Sequence, residues 1–333
     1  MAQLTAVLAS THHPFYYKAT TSPPEDRPPF AADWQRKVEA YRSTLTAAEP
    51  DVLVMVGADH FHQFFLDGYP QFLIGKAPRY DATFYNEIRE FGLPTYLLQG
   101  HEELSGYMLQ GLMDRDFDMA FSHELKIDHS IICPIITVRP DADLPVVPIY
   151  TNIFAPPMPS PRRFYQLGRA IREVIDAFPS DLRVAAIGTG HLSLELGGPR
   201  QFGEHGPDAQ FDADAIEWLS TGNVDAILEN VTHESLAGAG NATAGFMDLL
   251  LMAGIAGPGV EAAYTDQLDL FHTREMYITW NPNQTPQQSD AARRAADVSG
   301  GVAGAMTAAQ VLGEPVAPGA AVEPAVDEAG AIV

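Results

Sequence analysis

Apolar positions along the chain fall into two kinds of run. Stretches of strand length, LTAVLA at 4–9, DVLVMVGA at 51–58, QFLIG at 71–75, PVVPIY at 145–150 and RVAAIG at 183–188, alternate with longer amphipathic stretches that predict helices over 32–48, 82–91, 101–114 and 161–178. A further strand is predicted around 118–122. This alternation is the pattern of βαβ units. The runs at 51–56 and 183–187 are continuously apolar rather than alternating, as strands covered on both faces are. The expected fold class is therefore α/β, with an open, mostly parallel or mixed central sheet and helices on both faces. From about residue 208 the pattern turns helical. Phe211, Ala215, Ile216 and Leu219 share one face, and FMDLLLMAG inside 243–254 is apolar almost all round, which predicts a buried helix. Beyond Trp280 no aromatic residue occurs, and Ala, Gly, Pro and Gln dominate. Residues 1–283 are expected to form a single α/β domain, and 284–333 a solvated, largely disordered tail.

Composition narrows the function classes. In a chain of 333 residues, 20 basic against 43 acidic side chains give a formal charge of −23, which repels nucleic acid and anionic membranes alike. No apolar run approaches the length of about 18 that a membrane span needs, and the N-terminus MAQLTAVLASTHHP lacks the basic start of a secretory signal, so a cytoplasmic location is expected. The single cysteine, Cys133, excludes an internal disulfide framework and a thiolate cluster. A metal would have to bind through His, carboxylate or water.

The eleven histidines are unevenly placed. His12 and His13 follow strand 4–9, His60 and His62 follow 51–58, His123 and His129 follow 118–122, and His191 follows 183–188. Open α/β sheets bind ligands outside the carboxyl ends of their strands, so four strands are expected to bring imidazoles to one rim for metal or acid/base chemistry. In extended chain, neighbours point to opposite faces, so only one of His12 and His13 can face that crevice. His62 has an alternative role in packing against Phe61 or Phe64. Asp59 and Asp128 each precede a histidine, and either fix an imidazole tautomer or cap a turn or helix. The stretch GTGHLSLELGG at 188–198 has neither the GxGxxG spacing nor a phosphate-loop lysine, and Ser193 is not in a GxSxG elbow.

Taken in order, these segments resemble the class III extradiol ring-cleaving dioxygenases, the family of protocatechuate 4,5-dioxygenase, methylgallate and dihydroxyphenylpropionate dioxygenases. The resemblance rests on Thr11-His12-His13-Pro14, on Asp59-His60 followed by Phe64-Phe65, on Asp128-His129-Ser130 before Pro134, on the strand Leu144 to Tyr150, and on the turn Gly188-Thr189-Gly190. It spans roughly residues 4–200, with a weaker helical match near 240–255. It implies a mononuclear Fe(II), with zinc or manganese as other metals, held by His12 and His60. It also implies His129 as a catalytic and substrate-contacting residue, with His13 and Thr189 beside the substrate. The implied reactants are a small catechol-like aromatic and O2, in a homo-oligomer such as a dimer.

Two positions depart from the family pattern. Leu194 stands where the family has its acid/base histidine, and His191, three residues earlier, is the candidate to replace it. Aligning LLLMAG at 249–254 puts Gly245 where the family has its carboxylate ligand. Glu234, Asn241 and Asp248 are the candidates to replace it, and the alternative is that His191 completes a three-histidine site as the third metal ligand. The other readings are a metal-dependent hydrolase or lyase on the same scaffold, and an inactive partner subunit.

Overall fold

The computed structural model describes residues 1–202, 206–270 and 273–284. Ten strands are present among them: β1 (Gln3–Thr11), β2 (Val52–Ala58), β3 (Phe72–Gly75), β4 (Arg79–Ala82), β5 (Tyr96–Gln99), β6 (Ala120–Ser122), β7 (Val146–Thr151), β8 (Arg183–Gly190), β9 (Ala262–Leu270) and β10 (Thr273–Trp280). Eight form one mixed sheet in the order β6-β3-β7-β2-β8-β1-β10-β9, and β4 pairs with β5 apart from it. The middle four, β7-β2-β8-β1, are mutually parallel, in a register that sets Val56 against both Ile149 and Gly188 and sets Gly188 against Ala9. Their carboxyl ends therefore lie along one edge. This is the α/β fold with a mixed sheet that the apolar runs predict.

Side-chain alternation in a strand sends successive residues to opposite faces. Val52, Val54 and Val56 of β2 pack with Leu104, Phe164 and Leu250 from the helices Glu102–Met113, Pro161–Ala177 and Phe246–Ala256. Leu53 and Met55 pack with Val38, Tyr41, Ile131 and Ile135 from the helices Ala31–Ala48 and His129–Val138. All these strand residues are buried, and each full burial is worth about 1.5–3 kcal/mol before entropy is counted. The all-round apolar helix Phe246–Ala256 is buried along its whole length.

Three segments differ from or add to the sequence expectation. The helix expected over 82–91 is shorter, Tyr85–Phe91, because strand β4 runs to Ala82 before it. His129–Val138, for which the apolar pattern carries no expectation, is a helix despite its Ile, Thr and Val residues and Pro134. The C-terminal part is not wholly helical, because β9 and β10 form an antiparallel hairpin whose second strand pairs with β1. The alternation in YITW at 277–280 is the local signal for that hairpin. The expected tail lies outside the described residues from 285 onward.

The helix His129–Val138 forms because its end and its proline are both provided for. Asp128 caps it, its side chain accepting from the Ser130 N–H at 3.1 Å. Pro134 has no N–H to give to the carbonyl four residues back, that of Ser130. The Thr189 hydroxyl donates to that carbonyl instead, at 2.6 Å, from the end of β8. A Thr189→Val variant leaves the Ser130 carbonyl buried without this donor, and is expected to lose about 1–3 kcal/mol of stability in denaturant unfolding; an unchanged midpoint would show that the carbonyl needs no such donor.

A second buried polar group sits where β10 meets β1. Glu275 is fully buried and accepts a hydrogen bond from the Thr11 hydroxyl. Burial pushes its carboxyl up from the ordinary 4.5 to about 7, against the opposing effect of the Thr11 hydrogen bond and the nearby Tyr16 hydroxyl. Because the folded value lies above the unfolded one, the stability contributed by the protonated form is complete below about pH 4.5 and is lost as pH rises through about 7. Glu275→Gln should therefore raise the melting temperature by about 5 °C at pH values above 7 and leave it nearly unchanged near pH 4; equal shifts at both pH values would contradict a protonated Glu275.

Candidate metal centre

Parallel neighbours end side by side, so β1, β2 and β8 deliver the residues that follow them to one rim. His12 comes directly after β1, His60 two residues after β2, and His191 directly after β8. One ligand nitrogen from each lies within 4.8 Å of the others. The Nε2 atoms of His12 and His60 are 3.4 Å apart, and the His12 and His191 ring centres are 4.4 Å apart. His129 joins them from the start of its helix, its ring centre 4.0 Å from that of His60 and 5.4 Å from that of His12. His123 does not join. It follows β6, which runs antiparallel to the four central strands, and it leaves the sheet exposed and directed away from this rim.

Buried carboxylates orient the rings. Asp128 Oδ2 lies 2.8 Å from His60 Nδ1 and also accepts from the His60 backbone N–H at 3.2 Å. Its Oδ1 accepts from the hydroxyls of Ser130 at 2.7 Å and Tyr150 at 3.1 Å. Burial works against ionisation of Asp128, but the hydrogen bond from His60, electrostatic attraction to the His60 and His129 rings and the Ser130 hydroxyl outweigh it and hold the pKa below the ordinary carboxylate range. An ionised Asp128 makes His60 Nδ1 the protonated nitrogen and leaves the Nε2 lone pair facing His12. Burial first, and then His191, His60 and His129, holds His12 well below the usual imidazole range, and burial followed by His60 lowers His129. Neutral imidazoles with convergent lone pairs are the form in which histidine ligates a divalent cation, so the residues present fit such an ion.

Glu87 does for His129 what Asp128 does for His60. Its Oε1 lies 2.6 Å from His129 Nδ1 and accepts the His129 backbone N–H at 2.8 Å, and its Oε2 accepts the Phe84 N–H at 2.7 Å. Nothing in the sequence around Tyr85–Phe91 marks this residue, which reads locally as a helix-start glutamate. His62 stacks on Phe84, ring centres 4.5 Å apart, rather than on Phe61 or Phe64, and Asn86 Nδ2 lies 3.0 Å from its Nε2. With Glu87, Asp128 and His129 it forms a second close group of polar atoms beside the first. Asp59 is a loop cap, its carboxylate accepting the N–H groups of His62 at 3.2 Å and Phe64 at 3.1 Å.

The remaining expected site residues lie apart from the histidine group. His13 points away from His12, as extended chain requires, stacks near Phe15 and Tyr16, and lines a separate cavity of about 620 Å³ with Trp34 and Cys133. Thr189 is committed to the Ser130 carbonyl, so it supports the helix that carries His129. Glu234 is exposed on the short helix His233–Ala239. Asp248 is buried but belongs to neither close group. Its Oδ1 accepts the Thr151 hydroxyl at 2.7 Å, and burial pushes its carboxyl up to about 7, with Thr151 and His60 opposing. Asn241 bonds both ways with the Leu196 backbone, and Leu194 is buried. Aromatic rings flank the cluster: Phe154 at 5.0 Å from His60, and Phe91 at 6.1 Å from His129 with Phe15 behind it at 4.8 Å.

Fold and site together define a class: an α/β protein with an imidazole cluster fit for one divalent cation at the carboxyl rim of a parallel sheet, walled by aromatic rings. The chain belongs to the family described as the catalytic LigB subunit of aromatic ring-opening dioxygenase, which it matches over residues 6–273. It is 39% identical over 117 residues to a gallate dioxygenase of Pseudomonas putida, a stretch covering 34% of each chain. It is 32% identical over 170 residues to a 2,3-dihydroxyphenylpropionate/2,3-dihydroxicinnamic acid 1,2-dioxygenase of Burkholderia vietnamiensis, covering half of each. The matched stretches thus span half or less of these curated relatives. Among solved structures, an uncharacterized protein of Escherichia coli K12 shares the fold, with a TM-score of 0.52 and 14% identity, over 83% of this chain and 99% of that one. No helix among the described residues is long and apolar enough to cross a membrane.

If Asp128 sets the His60 tautomer, Asp128→Asn should weaken zinc binding by about 10- to 100-fold, measured by competition with a chromophoric chelator. Unchanged affinity in a folded variant would reduce Asp128 to a helix cap.

Proposed function

We propose that this protein is a non-haem, Fe(II)-dependent extradiol dioxygenase that opens the ring of a catechol-like aromatic, working in the cytoplasm. The observation that carries the reading is the convergence of His12, His60 and His191 within 4.8 Å, with His129 beside them, in a chain of the ring-opening dioxygenase family. His12, His60 and His191 are the metal ligands in this reading. It gives His191 the place of third ligand rather than that of acid/base catalyst, and leaves Glu234 and Asp248 out of the ligand set. When bound, the ion supplies a site at which a catechol and O2 meet and exchange electron density; both oxygen atoms enter the product, so no further reductant is needed.

The protein's own groups then hold the substrate and handle its protons. Phe154 on one side and Phe91 on the other offer apolar faces to a flat ring. His129, with its Nδ1–H given to Glu87, keeps Nε2 as the nitrogen that can take a proton from a catechol hydroxyl and return it later. Three basic residues near the matched segments have other partners: Lys76 and Lys126 lie over the rings of Phe121 and Phe84, and Arg200 pairs with Glu195.

The test is anaerobic reconstitution with Fe(II), then oxygen uptake against catechols, gallates and aminophenols, with zinc as control. Uptake matching substrate loss with iron alone is expected. His12→Ala, His60→Ala and His191→Ala should each lose bound metal, whereas His62→Ala should retain it. Metal binding without uptake on any of these aromatics would instead favour hydrolase or lyase chemistry, and normal metal content in all three variants would sink the site.

A further inference from the structure

Where the end of β8 meets the start of the helix Phe246–Ala256, the chain brings backbone against backbone with no side chains between. A Cβ on Gly190 would stand 2.2 Å from the carbonyl oxygen of Gly245. A Cβ on Gly245 would stand 2.7 Å from His191 Cδ2, 3.1 Å from its backbone nitrogen and 3.2 Å from its Cβ. Carbon–carbon contacts are favourable only from about 3.5 Å outward, so the imidazole of His191 occupies the space that any side chain at 245 would need. Backbone torsion does not call for glycine here. Gly245 has φ −57° and ψ −18°, an ordinary right-handed conformation open to any residue. Space alone makes glycine necessary at this position.

We propose that Gly245 is a positioning residue of the metal site: its missing side chain is the seat of the His191 ring, and this seat brings the third imidazole to 4.4 Å from His12 between ring centres. The Gly190–Gly245 contact lets strand and helix approach closely enough for the ring to lie over residue 245 and still reach the rim. One donor can occupy this volume, either the imidazole from the strand end or a side chain from the helix start. The inference rests on the reading of His191 as third ligand.

The experiment measures zinc affinity by chelator competition on the full chain for wild type, His191→Ala, Gly245→Ala and the Gly245→Ala/His191→Ala double variant, with circular dichroism and melting temperature recorded for each. Gly245→Ala should weaken zinc binding at least about tenfold, and adding it to His191→Ala should weaken it no further, because both changes remove the same ligand. Wild-type affinity in Gly245→Ala beside a weakened His191→Ala would overturn the seat and leave the ligand assignment standing. Wild-type affinity in His191→Ala would overturn the ligand assignment on which the seat rests. Should Gly245→Ala not fold, the double variant His191→Ala/Gly245→Glu decides: with the ring removed, a carboxylate from 245 should fill the vacated space and restore zinc affinity at least about tenfold over His191→Ala, a gain that misfolding cannot produce, and no recovery overturns the proposal.

Discussion

The carboxylate of Asp128, with no exposed surface, is the point on which the site depends. It ends the loop before the helix His129–Val138, caps that helix through Ser130, receives the Tyr150 hydroxyl from the end of β7, and holds His60 by ring and backbone. A single buried anion thus ties together the ends of two parallel strands and the start of one helix. A charge so placed is tolerated only when each oxygen has donors, and here every donor is itself a part of the site. Glu87 repeats the device for His129 from a different element.

The consequence is a rim in which His12 and His129 are held back from protonation. Burial and mutual repulsion disfavour the protonated forms of His12 and His129, while the two carboxylates fix which nitrogen carries the proton on His60 and His129. With its ring held by Asp128, His60 keeps its Nε2 3.4 Å from that of His12. The rigidity comes from the sheet beneath. β1, β8 and β2 are central strands whose neighbours on both sides and helices on both faces leave them no freedom to slip. The hairpin β9–β10 closes the β1 side, and without it β1 would be an open edge next to the first metal-ligand candidate.

Much of this was legible in the chain. Continuous apolar runs at 51–56 and 183–187 announce doubly covered strands, and histidines directly after three such runs announce the rim, because parallel strands can only end together. His12, His60 and His191 follow from that geometry, whereas His129 reaches the rim from the start of its own helix, because β6 before it runs the other way. The loop role of Asp59 was one of two readings that local sequence left open, and the tertiary contacts chose it. Other features were hidden for definite reasons. Glu87 belongs to a helix whose own sequence gives it a local capping role, and its contact with His129 spans 42 positions. The helix His129–Val138 contradicts its own residue propensities and survives through a hydroxyl supplied from residue 189.

By itself the sequence determined the fold class and the set of histidines available to one edge, because hydrophobic periodicity sets which elements form and parallel pairing sets where their ends lie. Only the tertiary structure decided which of those histidines converge, which carboxylates hold them, and that His191 rather than Glu234 or Asp248 lies with His12 and His60. Those outcomes turn on contacts of a few ångströms between segments far apart in the chain, such as the meeting of Gly190 with Gly245, and no local pattern encodes a distance across the fold.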